Sequence, residues 1–285
     1  MAKYLDPKND LIFKRIFAEH PHLLIDFLNA IMPLSPGRQI ETIEYLPTEQ
    51  VPDIVGKRNS IVDVKCIDNE NRQFIVEMQM FWSEAFNDRM VFNAGKAYVR
   101  QLNKKEDYNL LHPVYALALI NDIFDRKTEQ FYHHCEIVNR ENTDENINGL
   151  EFVLIELPKF KPQRWEDKKL AVLWLRFLNE IDEDTKILPP ELAANENILE
   201  AAELCEIAAF TPAQLEFYDA CWDAIRVERT IGNAFLREGL EKGEKTGTEK
   251  TKTEVVIKAN KKGLSIEDIA DLTGFTIEEI SKILK

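Results

Sequence analysis

Two short apolar segments flank a polar stretch in the first third of the chain. Residues 60–66 and 73–79 are rich in β-branched and apolar side chains, whereas residues 67–72 between them are polar and turn-prone. This pattern predicts a β-hairpin. Because side chains alternate along a strand, a hairpin that is symmetric about its midpoint places Asp63 directly across from Glu77.

The spacing of apolar residues also assigns elements to most of the remaining chain. Residues 9–32 predict a helix that Asn9 or Asp10 can cap and that Pro21 breaks in two. Residues 83–105 predict a long amphipathic helix. Apolar runs predict strands over residues 40–46, 51–55, 114–120, 129–138 and 150–157. Helical periodicity predicts helices over residues 168–181, 190–210, 212–240, 265–272 and 276–284.

Glycines mark a change of character in the C-terminal quarter. Gly239, Gly243 and Gly247 recur every four residues among Glu, Lys and Thr. Because glycine is a poor helix former and this segment has little to bury, it predicts a flexible linker. The chain is thereby divided into a domain at residues 1–160, a helical extension at 161–238, the linker at 239–257 and a small helix-turn-helix-like tail at 258–285.

The composition is that of an ordinary globular protein, with 45% apolar and 30% charged residues in a chain of 285. No apolar run is long enough to span a bilayer, so we expect no membrane association. The N-terminus lacks the apolar core of a secretory signal. Four cysteines are scattered without the spacing of a metal site, which predicts reduced thiols in a cytoplasmic protein.

The net charge of −14 argues against nucleic-acid binding, because contact with phosphates needs lysine and arginine. The charge is, however, unevenly distributed. Residues 57–105 carry nine Lys or Arg against six Asp or Glu, a net of +3, whereas residues 141–210 carry seven against sixteen, a net of −9. Because the local field steers a polyanion, the hairpin region is the part of this acidic protein best suited to meet DNA.

Two like charges that face each other destabilise a β-ladder, so the predicted pairing of Asp63 with Glu77 needs an opposing charge. A divalent cation between the carboxylates supplies it, and Mg²⁺, with Mn²⁺ as a substitute, prefers such hard oxygen ligands. The main-chain carbonyl of Met78 is a suitable third ligand, and Gln79 projects to the same face, where it can hydrogen-bond water or phosphate. Such ions support the hydrolysis of phosphodiesters, because they activate a water molecule and neutralise the phosphate. A solvated sheet face is the alternative interpretation.

Further motifs accompany this acidic pair in a fixed order. They are DLIFKRIF at residues 10–17, IVDV at 61–64, IVEMQ at 75–79, the long-helix positions from Arg89 to Leu102, ELPKF at 156–160 and the segment 262–274. Each motif is weak alone, but their order resembles the Rpn group of recombination-promoting nucleases and transposases. That group belongs to the PD-(D/E)xK nuclease superfamily.

The resemblance implies a restriction-endonuclease-like α/β fold, a mixed sheet flanked by helices, followed here by a helical C-terminal extension and a small helical tail. It also implies Mg²⁺-dependent cleavage of DNA by an endonuclease with Asp63 and Glu77 as catalytic metal ligands. Gln79 would stand in the place of the superfamily lysine. Asp10 would add a carboxylate from the first helix, and its alternative role is that of a helix cap.

A second register of the superfamily motif is also present. Pro52-Asp53 followed by Asp63-Val64-Lys65 is a literal PD…DxK string, which would make Asp53 and Asp63 the ligands and Lys65 the catalytic lysine. We favour the Asp63/Glu77 register, because it places the two acids on paired strands and matches the narrower group.

Arg89, Lys96 and Arg100 recur at helical spacing, with Asn93, and predict a basic stripe on the long helix. This stripe is interpreted either as a contact to DNA phosphates or as a solvated helix face. His133-His134 has no partner at metal-ligand spacing and is expected on the surface.

The second tail helix offers Lys282 and Lys285 against Glu278 and Glu279, a poor major-groove reader. We therefore expect the tail to contact protein, and a homo-oligomer to form through the C-terminal helices. Two functions compete with the endonuclease: a catalytically inactive nuclease-fold protein that binds DNA or protein, and a helix-turn-helix regulator.

Overall fold

The computed structural model describes residues 3–50, 60–103, 105–162 and 169–284. The strand expected at 51–55 and Asp53 of the second register lie outside these ranges. Two compact units divide the chain, the first at Met1–Asp223 and the second at Ala224–Lys285.

The first unit is built on a mixed sheet of six strands in the order β1-β4-β5-β6-β8-β7. β5, β6 and β8 run parallel to each other, whereas β1, β4 and β7 join antiparallel to their neighbours. β2 and β3 form a separate antiparallel pair. The strands are β1 Ile43–Tyr45, β2 Glu49–Gln50, β3 Ser60–Ile61, β4 Val64–Asp68, β5 Gln73–Gln79, β6 Val114–Ile120, β7 Tyr132–Asn139 and β8 Asn142–Glu156.

Nine α-helices are assigned in the described ranges, and short 3₁₀ turns occur at residues 108–110, 157–159 and 207–209. The helices are α1 Asp10–Phe17, α2 Pro21–Ile31, α3 Glu84–Val99, α4 Lys169–Glu180, α5 Pro190–Ala193, α6 Glu196–Leu204, α7 Pro212–Lys261, α8 Ile266–Thr273 and α9 Ile277–Ile283. The break at Pro21 is confirmed, and the helix expected over 190–210 is divided into α5, α6 and a 3₁₀ turn.

The two faces of the sheet are covered by different helices. On one face, Val64 and Phe74 share a core with α1, α2, α4 and α6. On the other face, Ile75 and Ala118 pack against α3. Because β6 is buried at every position, it is the central strand that the sequence predicted.

The boundary expected at residue 160 does not separate two compact units. Trp174 and Phe177 of α4 are fully buried in the core that α1 and α2 also line, and Trp174 lies 5.5 Å, centroid to centroid, from Phe17. Helices from both sides of the expected boundary thus bury one shared apolar surface. Such shared burial makes one folding unit.

The linker expected at 239–257 is wrong as a break in secondary structure, because these residues lie within the helix α7. Lys242 pairs with Glu238 at 2.6 Å and Lys258 with Glu254 at 3.6 Å, in both cases four residues apart. Such pairs support an exposed helix, whereas each glycine costs it only about 1 kcal/mol.

The second unit has its own small core, formed by Val256, Ile269 and Ile280 with neighbouring side chains. α8 ends at Gly274, which adopts a left-handed conformation with φ of 68° and caps the helix. The two short helices expected in the tail are therefore confirmed.

Across the described part of the chain, no helix combines the length and the apolarity required to cross a lipid bilayer.

Candidate active site

The hairpin pairs in the register that the sequence predicted. Val64 faces Val76 and Lys65 faces Ile75, but the ladder ends at Val64, one position before the expected pairing of Asp63 with Glu77. The first strand is shorter than expected, because the chain bends at residues 62–63 between β3 and β4. At this bend the main-chain N–H of Met78 donates to Asp63 Oδ2 at 2.8 Å. The side chain of Asp63 is thereby fixed against β5.

Glu77 is only 5% exposed and faces α3. Asn93 Nδ2 donates to Glu77 Oε1 at 3.0 Å, and Arg89 Nη2 donates to Glu77 Oε2 at 3.2 Å. The same Arg89 nitrogen donates to Gln79 Oε1 at 2.7 Å. Glu77 and Gln79 therefore project to one face, as predicted.

Gln79 is oriented at both ends of its amide. Its oxygen accepts from Arg89, and its Nε2 donates to the carbonyl of Phe81 at 2.8 Å. A neutral side chain held in this way can position a ligand, but it brings no charge to the site.

The helix α1 brings a third carboxylate and a lysine to Asp63. Lys14 Nζ lies 2.7 Å from Asp10 Oδ1 and 3.8 Å from Asp63 Oδ1. Asn9 caps this helix, because its side chain accepts from the N–H of Leu11. The alternative role of Asp10 as the cap is therefore wrong, and its side chain is turned to Lys14.

Burial raises the pKa of Asp63 to about 6, against an ordinary value of 3.8. The Met78 N–H and the Lys14 ammonium lower this pKa, whereas the negative charges of Asp10 and Glu77 raise it further. Asp63 thus lies within electrostatic reach of both other carboxylates.

This donor set fits a hard divalent cation that keeps several waters. Mg²⁺ is typically held by one or two carboxylates, and Asp63 and Glu77 supply two. Next to Glu77, the buried oxygen Oδ1 of Asn93 has no hydrogen-bond partner among the described residues. No group of three or more His, Cys, Asp or Glu in the described ranges is arranged to hold a metal, so Asp10 does not complete a closed cage.

The predicted basic stripe on α3 is only partly a surface feature. Arg89 and Arg100 are exposed, but Asn93 is 1% exposed and directed at Glu77. Lys96 is half-buried and lies 5.2 Å from the ring centroid of Phe92. Asn93 is therefore part of the site and not of a solvated face. The sequence pattern that grouped it with the cations concealed this role.

Lys65, the lysine of the second register, is 8% exposed on β4. Burial and the charges of Arg100 and Lys96 lower its pKa. The charges that act on Lys65 are therefore those of two cations of α3.

A second buried acid lies at the same edge of the sheet. Gln79, Ile120 and Glu156 form one row across the three parallel strands. Glu156 Oε1 accepts from the N–H groups of Phe124 and Asp125, and its Oε2 contacts His133 Nε2 at 3.0 Å and Lys159 Nζ at 2.6 Å.

The surface position expected for His133 is therefore wrong, because its ring is turned to this fully buried carboxylate. The ELPKF motif supplied both Glu156 and Lys159, and sequence reasoning gave them no role. Their spacing of three residues was the available signal for a local ion pair.

A mixed β-sheet flanked by helices, with acids at the ends of its central strands, is a restriction-endonuclease-like fold. The family described as PD-(D/E)XK nuclease family transposase matches residues 7–227, most of the chain and nearly all of the first unit. The chain belongs to this family, which supports a nuclease-like function. Comparison with curated proteins and with solved structures gave no match.

Proposed function

We propose that this protein is an Mg²⁺-dependent DNA endonuclease, in which Asp63 and Glu77 hold the ion. The observation that carries the proposal is the meeting of three acids from two parts of the chain, because Asp63 is partly buried and lies within electrostatic reach of Asp10 and Glu77. Burial, and to a smaller extent the two neighbouring acids, raise the pKa of this carboxyl, and a divalent cation would stabilise its charged form.

The residues around the ion have distinct roles in this proposal. Asp63 would ligate through Oδ1, because the N–H of Met78 already occupies Oδ2. Glu77 is held by Asn93 and Arg89, and Asp10 contributes charge from α1. The main-chain carbonyl of Met78 would be a further ligand. A bound Mg²⁺ or Mn²⁺ supplies an activated water and neutralises the phosphate.

Gln79 would orient the attacking water or a phosphate oxygen, because its amide is fixed by Arg89 and Phe81. Arg89, Lys96 and Arg100 would contact the DNA backbone along α3. The exposure of Arg89 and Arg100 supports this role.

The test is cleavage of supercoiled plasmid by the purified full chain with Mg²⁺, with Mn²⁺ and with EDTA. We expect nicked and linear products with either ion and none with EDTA. Asp63→Asn and Glu77→Gln should each reduce cleavage at least about 100-fold, because each removes a ligand charge. Glu151→Gln, on β8 beside His134, is the matched control and should cleave like the parent.

Cleavage that survives both site substitutions would overturn the assignment of Asp63 and Glu77. Binding of the plasmid without cleavage under any of these conditions would favour the inactive nuclease-fold protein instead.

We also propose that copies of the protein associate through the C-terminal helices. Val227, Ile231, Phe235, Leu236 and Leu240 are large apolar side chains that are at least half exposed on α7. Exposed apolar surface of this kind is typical of protein contacts. Light scattering should give a mass above 33.1 kDa for the full chain, and Phe235→Glu should lower it.

A further inference from the structure

The ammonium of Lys14 faces the same oxygen of Asp63 that a metal would use. Asp63 Oδ2 is engaged by Met78, whereas Oδ1 faces the Lys14 ammonium at 3.8 Å. The closer partner of Lys14 is Asp10, at 2.7 Å on the previous turn of α1. The ammonium is therefore anchored to Asp10 and only loosely paired with Asp63.

An ammonium and a divalent ion cannot both be close to one carboxylate oxygen without repelling each other. The Lys14 side chain is 39% exposed and has a flexible four-carbon stem, so its ammonium can move while α1 stays in place. Asp63 is held by the main chain of β5 and cannot follow it.

We propose that Lys14 is the exchangeable cation of this site. It offsets part of the charge on Asp63 when no metal is bound, and it yields Oδ1 to the divalent ion and turns to a phosphate oxygen of the bound DNA. The part of this inference that concerns DNA depends on the proposed function, whereas the exchange at Asp63 does not.

The remaining charges of the site leave this role to Lys14. Gln79 is neutral, and Arg89 is already shared between Glu77 and Gln79. Lys65 is buried on β4, and the positive charges of Arg100 and Lys96 lower its pKa. In the described part of the chain, Lys14 is the cation within ion-pair distance of Asp63.

The first measurement is Mn²⁺ affinity in the absence of DNA, by calorimetry or by the electron paramagnetic resonance of free Mn²⁺. Lys14→Ala and Lys14→Gln should bind Mn²⁺ on the order of tenfold more tightly than the parent, because the competing charge is gone. Arg15→Gln is the matched control. It removes one positive charge from the next position of α1, where the guanidinium contacts the carbonyl of Ala209, and it should leave the affinity unchanged.

The second measurement is plasmid cleavage at saturating Mn²⁺. Lys14→Ala should cleave at least about tenfold more slowly than the parent despite its tighter metal binding, and Lys14→Arg should recover part of the rate. A loss of ion affinity together with rate would indicate a merely structural role and would overturn the proposal.

The two proposals fail separately. If the parent does not cleave but Lys14→Ala binds Mn²⁺ more tightly, the endonuclease proposal fails and the exchange at Asp63 stands. If the parent cleaves but Lys14→Ala binds Mn²⁺ no more tightly than Arg15→Gln, the exchange fails and the endonuclease proposal stands.

Discussion

Two acids at the same edge of the sheet, Glu156 fully buried and Asp63 partly buried, differ in how completely they are paired. Glu156 ends β8 and receives two main-chain N–H groups, a lysine and a histidine. Asp63 precedes β4 and has one main-chain N–H and one distant ammonium, with two other carboxylates in electrostatic reach. Among the described residues, Glu156 thus has four close partners, whereas Asp63 has one close partner and one distant one.

The difference separates a structural acid from a candidate functional one. The partners of Glu156 hold the loop after β6, since Lys159 also donates to the carbonyls of Asp125 and Gln130. Such a network gains nothing from a ligand. An acid that folding leaves with raised pKa and spare oxygen is the kind that a bound cation stabilises.

Glu156→Ala should have the largest effect on stability. It removes the carboxylate that offsets the buried Lys159 charge, and it leaves the N–H groups of Phe124 and Asp125 without this acceptor. Breaking a buried pair in this way costs about 3–5 kcal/mol. Urea denaturation at pH 7.5 measures it, with Asp144→Ala on the exposed half of β8 as the control, which should stay within about 0.5 kcal/mol. A loss below about 1 kcal/mol for Glu156→Ala would remove the contrast with Asp63.

Asp63→Asn should have the opposite effect and stabilise the folded protein. The folded-state pKa of about 6 lies above the ordinary 3.8, so folded protein holds a proton between these values that unfolded protein has released. Stability therefore falls as pH rises through this window, and the cost is complete above pH 6. Asparagine cannot ionise, so we expect a gain of about 1–2 kcal/mol at pH 8.

The same substitution should give little gain at pH 4.5, where the parent carboxyl is largely protonated. Parallel urea denaturation at the two pH values distinguishes this from a general stabilisation. A destabilised Asp63→Asn at pH 8 would show that the carboxylate is satisfied after all.

Much of the sheet could be predicted, because its strands and their register depend on residues that are close together in the sequence. The ladder register followed from one turn and alternation, and β6 from an unbroken apolar run. The continuation of α7 beyond Leu240 could not be predicted from glycine propensity, since the opposing contribution came from ion pairs along the helix.

The site could be predicted from the sequence only in part, because half of its residues come from elements that are distant in sequence. Asp63, Glu77 and Gln79 lie in one hairpin, and their shared edge follows from strand geometry. Lys14 reaches Asp63 across 49 positions of the sequence, and Asn93 reaches Glu77 from α3. Only the packing of α1 and α3 on opposite faces brings these side chains to the hairpin.

Glu77→Gln should have the smallest effect on stability and a distinctive effect on pH dependence. The new amide oxygen still accepts from Asn93. The ion pair that is lost involves Arg89, whose side chain is 46% exposed, so it contributes little to stability. The free energy of unfolding should therefore change by no more than about 1 kcal/mol. Because the negative charge of Glu77 helps to raise the pKa of Asp63, its removal should lower that pKa.

The fall in stability between pH 4.5 and pH 6 should therefore be shallower in Glu77→Gln than in the parent. Urea denaturation across this window measures the slope, with Glu151→Gln expected to keep the parental slope. An unchanged slope in Glu77→Gln would mean that the two carboxyls do not interact, and two acids that do not interact in the folded protein are too far apart to share a small cation.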